Sequence, residues 1–138
     1  MQKTQGFTLI ELLVVVAIIS ILASLVLLSL GEVRNRAKDA RIITEMGQLR
    51  STAEVFRGSS DNDIYTGLCE DENVDTLEAD IAAQGGSVPG CGVSADGLRY
   101  CVETQLNSGK WWCVDSALRS KEYGSNPETC SEISFSCQ

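Results

Sequence analysis

The chain has 138 residues, 6 cysteines, no histidine and a formal net charge of −8 at pH 7. That length leaves room for little beyond one small domain, the missing histidine removes the commonest general base and a principal metal ligand, and the acidic balance disfavours contact with a phosphate backbone. No serine–lysine pair or carboxylate dyad stands out in their place, so an enzyme is not expected and direct nucleic-acid binding is not expected either.

In chain order, Met1–Gly6 carries one cation, Lys3, and is followed by an apolar run. From Phe7 to Leu30 only Thr8, Glu11, Ser20, Ser24 and Ser29 are polar. At about 1.5 Å per residue the run makes a helix about 36 Å long, enough to span a bilayer. Glu11 then lies about one turn inside, where a carboxylate costs about 2.5 to 3.5 kcal/mol unless it meets a partner charge or a protein interior. An ordinary secretory signal, with Ser29-Leu30-Gly31 as its cleavage site, fits poorly. Its apolar core would run to only about 7 to 15 residues, and Glu11 would not interrupt it.

The residues Gln5-Gly6-Phe7-Thr8-Leu9-Ile10-Glu11, the continuation Val14 to Leu25, and the later run Ala40-Arg41-Ile42-Ile43 to Glu54-Val55-Phe56 resemble the N-terminal signal and helix of the type IV pilin and pseudopilin superfamily. The resemblance covers Met1 to about Phe56. It implies cleavage by a prepilin peptidase between Gly6 and Phe7, N-methylation of Phe7, and a glutamate, Glu11, at the fifth mature position. Many members carry a proline where this chain has Leu28, so a proline-linked unwinding of the helix does not carry over, and Gly31 is the nearest weak point. Cutting after Gly6 creates a cationic amino group on Phe7. Across a dry interface between subunits that charge would attract a neighbour's Glu11 far more strongly than in water, favouring one axial register.

Beyond the span, Val33, Ala37, Ala40, Ile43, Met46, Leu49, Ala53 and Phe56 recur at spacings of three and four, an apolar stripe able to hold a domain. Arg34, Arg36, Lys38 and Arg41 alternate there with Glu32, Asp39 and Glu45, which reads as a solvated face. With only Lys3 ahead of the span, the distribution of basic residues alone would leave the C-terminal part in the cytoplasm. All six cysteines, Cys69, Cys91, Cys101, Cys113, Cys130 and Cys137, follow the span, and disulfides imply an oxidising exterior, so the head is expected outside. Gly58-Ser59-Ser60 ends the helix.

The head reads as α+β. Asp75 with Glu78 suggests an N-cap, Leu77 and Ile81 share a face, and Gly85-Gly86 closes a short helix. Leu98–Leu106 and Lys110–Asp115 flank Asn107-Ser108-Gly109 as a β-hairpin. A register with Cys101 opposite Cys113 gives one apolar face and a Cys101–Cys113 bridge. Cys130–Cys137 would close a C-terminal loop similar to that of many pilins, which leaves Cys69–Cys91. There is no C-x-x-C pair for zinc. The acids Asp61-Asn62-Asp63 and Glu70-Asp71-Glu72 offer oxygen ligands for calcium but lack the spacing of a calcium-binding loop, so no cofactor is expected and calcium is a minor alternative. Trp111 and Trp112 suit hairpin packing better than base stacking in a head whose fourteen acids and four cations after Gly58 leave it at −10.

The chain thus reads as a pilin-like α+β subunit: leader 1–6, membrane and polymerisation helix 7–30, amphipathic helix 31–57, and disulfide-rich head 58–138. A long N-terminal helix packs on a small antiparallel sheet. The expected function is that of a type IV pilus subunit, held in the cytoplasmic membrane with its head outside before joining a helical surface filament of identical copies. The resemblance implies a prepilin peptidase, an assembly ATPase and a membrane platform protein as partners. A pseudopilin of a type II secretion or DNA-uptake apparatus, and a non-polymeric membrane-anchored binding protein, are the alternatives.

Overall fold

The computed structural model describes residues 6–124, 130 and 135–137, the side chains of residues 28 and 29 excepted, so residues 1–5 of the expected leader lie outside the described set. Contacts divide the chain into two compact units, one up to Arg34 and one from Asn35 onward. Helix α1 (Leu9–Ser59) contributes to both.

In the first unit α1 is apolar on every side, and its large side chains are exposed, from Leu9 and Ile10 through Leu25 and Val26 to Leu30. The β-branched residues Val14, Val15 and Val16 are poor helix formers in water. An apolar medium favours the helix nevertheless, because every backbone N–H and C=O must then bond within the segment. The serines obey the same rule, since the Ser20 hydroxyl donates to the Val16 carbonyl at 2.7 Å and the Ser24 hydroxyl to that of Ile21 at 2.7 Å. This part of α1 is long and apolar enough to cross a membrane.

In the second unit one face of α1 enters the core. Ile42, Met46, Leu49 and Ala53 are fully buried, with Ile43 and Phe56 partly so. The stripe therefore centres on Ile42 rather than Ile43, and Val33, Ala37 and Ala40 are exposed. Burying Ile42, Met46 and Leu49 contributes about 1.5 to 3 kcal/mol each. The helix ends where the Ser60 hydroxyl donates to the Arg57 carbonyl at 2.8 Å and accepts the Ile64 N–H at 2.9 Å.

Asp39 and Glu45 depart from the expected solvated face, with exposures of only 7% and 5%. Glu45 accepts the Arg41 Nε–H at 2.9 Å. Asp39 accepts the N–H of Asn107 at 2.7 Å and of Ser108 at 3.1 Å, and the Asn107 Nδ2–H at 3.0 Å. A turn pressed against a helix leaves its backbone donors cut off from water, and a carboxylate on that helix satisfies them.

After a 3-10 turn at Leu68–Glu70 comes α2 (Glu72–Ala83). Its cap is Asp71, whose carboxylate accepts the Asn73 N–H at 2.9 Å, so the helix starts earlier than the Asp75–Glu78 pair suggests. Its end follows expectation: Gly85 at φ 89° donates to Ala82, and Gly86 to Ile81, a Schellman closure. Strands β1 (Gly90–Val93), β2 (Tyr100–Gln105), β3 (Trp111–Asp115) and β4 (Ser120–Tyr123) form an antiparallel meander in the order β1-β2-β3-β4.

The β2–β3 turn forms at Asn107-Ser108-Gly109 as expected, with Gly109 at φ 82° and its N–H donating to the Leu106 carbonyl at 2.9 Å. The Leu106 N–H bonds the Lys110 carbonyl at 2.8 Å, so the register runs Val102 to Val114 and Cys101 to Asp115. The expected register is thus off by two residues. Such a slip keeps each side chain on its face, so Tyr100, Val102, Trp112 and Val114 still pack on the core. It also sets Cys101 and Cys113 diagonally across the strands. Diagonal neighbours lie about 7 to 8 Å apart, beyond ordinary disulfide reach.

The expected Cys101–Cys113 and Cys130–Cys137 bridges are accordingly replaced by Cys101–Cys130 and Cys113–Cys137. Each ties the C-terminal segment to the outer face of the sheet, where Tyr123 and Phe135 pack against the cysteines. Buried Asp115 adds a third tether, accepting the Cys137 N–H at 2.8 Å. The third bridge is Cys69–Cys91.

Candidate processing and assembly site

Gly6, Phe7 and Thr8 precede α1 in non-helical conformation, and all three are exposed. Phe7 is 83% exposed, and nothing lies within 4 Å of where a side chain at Gly6 would begin. Among the described residues nothing crowds the peptide bond between Gly6 and Phe7.

Thr8 caps the helix. Its N–H and its hydroxyl donate to Glu11 Oε2 at 2.8 and 2.7 Å, and the Glu11 N–H returns to the Thr8 hydroxyl oxygen at 3.3 Å. This reciprocal pairing is a capping box, in which Thr8 and Glu11 satisfy donors that the first helical turn otherwise leaves unpaired. It also places a negative charge at the positive end of the helix dipole. Among the described residues Glu11 Oε1 carries no hydrogen bond. One carboxylate thus has two faces, one committed to the local cap and one open.

The head offers less chemistry. Of the loop acids offered for calcium, Asp63 approaches Arg57 Nε at 3.4 Å and Asp71 caps α2. The sulfurs of Cys101, Cys113 and Cys137 lie within 4.8 Å of one another, but all are held in disulfides and none is a thiolate donor. The Tyr65 hydroxyl donates to Glu54 at 2.7 Å, and burial, followed by that bond, pushes its phenol up to about 12. It stays a neutral donor at any physiological pH. The Tyr65 ring leans on Tyr100 with centroids 4.7 Å apart, a core contact. Trp112 packs on the core and donates its indole N–H to Ser120 at 3.1 Å, in keeping with a packing role.

Three of the residues singled out from sequence, Gly6, Phe7 and Glu11, fall together at the start of α1. Thr8 belongs with them. Its signal was the spacing threonine-x-x-glutamate directly ahead of an apolar run.

Residues 1–27 match the prokaryotic N-terminal methylation motif. A helix that bears this motif, is apolar on all sides through its first part and anchors a disulfide-closed meander through its second defines a pilin-type subunit. The chain is 30% identical over 136 residues to the type IV wide pilus major component PilA4 of Thermus thermophilus, covering 94% of this chain and 99% of that protein. It is 35% identical over 94 residues to the type IV major fimbrial protein FimA of Dichelobacter nodosus, covering 67% of this chain and 56% of that one. With a probable minor fimbrial protein of the same organism it shares 46% identity over 54 residues, 39% of this chain and 34% of that protein. No solved structure matches the chain significantly. The chain belongs to the type IV pilin family and is a structural subunit of a type IV pilus.

Proposed function

We propose that the chain is made as a prepilin, inserted through residues 7–30 in the cytoplasmic membrane with its head outside, and cut between Gly6 and Phe7 by a prepilin peptidase that methylates the new N-terminus. An assembly ATPase and a membrane platform protein then move it into a helical filament of its own copies. The observation that carries this reading is the two-sided Glu11. Its Oε2 atom caps its own helix through Thr8, while Oε1 is free to accept the methylated ammonium of a neighbouring subunit's Phe7. Cleavage removes residues up to Gly6 and leaves both Thr8 donors in place, so the cap survives processing. Once the helix leaves lipid for a bundle of identical helices, the pair of charges is desolvated. An unpaired carboxylate there costs several kcal/mol, about the penalty of any buried charge without a partner. Subunits out of register incur that penalty; those in register do not.

The near full-length match to a major pilus component supports a major rather than a minor role. N-terminal mass spectrometry of sheared surface fibres tests the whole reading. Methylated Phe7 as the first residue of the most abundant protein is the expected result. Intact Met1 in washed membranes, with nothing in the sheared fraction, overturns it.

A further inference from the structure

We propose that neighbouring heads in the filament dock through opposite charges: Arg119 and Lys121, at the β4 edge of one subunit, against Glu72 and Asp75 on α2 of the next copy. This rests on the polymeric reading above and adds the surface through which the heads meet.

The charge of the head is sorted along the chain. Between Gly58 and Leu98 there are nine acids and no lysine or arginine, whereas from Arg99 onward four cations face five acids. The fold turns that sequence asymmetry into a spatial one. The Cys69–Cys91 bridge ties the acidic segment to β1, at one edge of the meander, and β4 is the other edge. Three strand spacings, about 14 Å, separate the two edges.

On the β4 side, Lys110 is neutralised by Glu122 at 2.7 Å, which leaves Arg119 and Lys121 as the basic surface. Both are exposed and line an open cleft of about 560 Å³ beside Cys137. Lys121 Nζ lies 5.4 Å from the centre of the Tyr123 ring and, among the described residues, bonds no carboxylate. Arg119 pairs with buried Asp115 at 3.8 Å and donates to the Cys137 carbonyl at 3.5 Å while its side chain stays half exposed. On the α2 side, Glu72 and Asp75 are exposed one turn apart, and no cation pairs with them among the described residues.

Two different patches make a heterologous contact, which repeats without closing and so generates a helical array. A self-matched contact would instead set like charges together. The charged side chains on β4 also discourage direct strand addition, so the heads meet through side chains, and the contact weakens as salt rises.

Carbodiimide, which joins an amine to a carboxylate in contact, tests this on sheared wild-type filaments. Mass spectrometry should find Lys121 joined to Glu72 or Asp75 in filaments, and not in detergent-dispersed subunits. Lys121→Glu alone, and Glu72→Lys with Asp75→Lys, should each lower filament yield several-fold, and the three together should restore it. Restoration shows that the single reversals did not simply misfold the head. Filaments in which Lys121 is joined elsewhere, or whose yield ignores the reversals, overturn the docking and leave the pilus reading standing. Absence of any wild-type filament overturns both.

Discussion

Up to Arg34, helix α1 exposes large apolar side chains on all sides; from Asp39 to Phe56 the same helix buries one face and is fastened to the head at several points. Both stretches are regular helix, yet different forces hold them. The second is stabilised by Ile42, Met46 and Leu49 in the core and by the Asp39 bonds to the β2–β3 turn. The first is held by its own backbone ladder, and the helix is favoured further wherever its exposed apolar side chains meet an apolar medium. The stretch that gives the monomer its stability is therefore not the stretch that specifies the polymer, and substitutions should separate the two.

The largest separation is expected at Glu11. Glu11→Ala removes the charge proposed to meet a neighbour's amino group, and the yield of sheared filaments should fall more than tenfold. All of its observed bonds are to Thr8, so the melting temperature of the head in detergent should not move. A matching fall in melting temperature would break the division between the two stretches.

The reverse separation is expected at the C-terminal tether. Cys113→Ser with Cys137→Ser opens a bridge spanning 24 residues of sequence and should cost the head about 2 to 4 kcal/mol in denaturant unfolding. Peptidase processing at Gly6 should proceed unchanged. Loss of processing in that variant would mean that the head influences the N-terminal site.

Asp39 gives a smaller and pH-dependent effect. Burial alone would raise its pKa, but the donors of Asn107 and Ser108 outweigh burial and hold the carboxyl below its ordinary value. A carboxyl depressed in the folded state adds stability above its unfolded pKa, near 3.9, and that stability is lost as pH falls through the folded value. Acidification below about pH 4 should therefore lower the melting temperature of the wild type more steeply than that of Asp39→Asn. At neutral pH, Asp39→Ala should cost about 1 to 3 kcal/mol, because the Asn107 and Ser108 donors are left unpaired. Equal acid slopes in wild type and Asp39→Asn would remove Asp39 from the account.

The same comparison governs how much of the molecule is legible in its sequence. Around Gly6, Phe7 and Glu11 the information is local, carried by fixed offsets ahead of an apolar run, and it reads directly. In the head the decisive facts are long-range. The burial of Asp39 depends on a turn 68 residues away, so its periodicity on α1 reads as that of an ordinary exposed acid. The disulfides depend on hairpin register. The Asn107-Ser108-Gly109 turn already implies Leu106 opposite Lys110, and a two-residue error preserved the apolar face while misplacing both bridges. Asp71 and Asp75 are both plausible caps by residue type, and only the backbone distinguishes them. Thr8 is the opposite case. Its spacing to Glu11 is fully local, but a charge costly to bury directs attention to a partner in another subunit rather than one three residues back.

The cap made by Glu11, set beside its proposed intersubunit contact, gives the smallest and most discriminating prediction. Thr8→Ala removes the hydroxyl and keeps the backbone N–H, so one of the two donors to Oε2 is lost and the Glu11 N–H loses its acceptor. Losing an N-cap of this kind costs about 1 kcal/mol. The cost falls on the first turn alone, since the remaining helix is held by its own ladder and its surroundings. If the cap merely trims fraying, filament yield in Thr8→Ala should drop by less than about fivefold, following the cap energy, far short of the loss at Glu11→Ala. Thr8→Ser, which retains the hydroxyl, should match wild type. If Thr8→Ala instead abolishes filaments as completely as Glu11→Ala, the carboxylate works in assembly only when held by its own helix. Glu11's local and intersubunit roles would then be one device, and the separation between monomer stability and polymer specification would fail at its first residue.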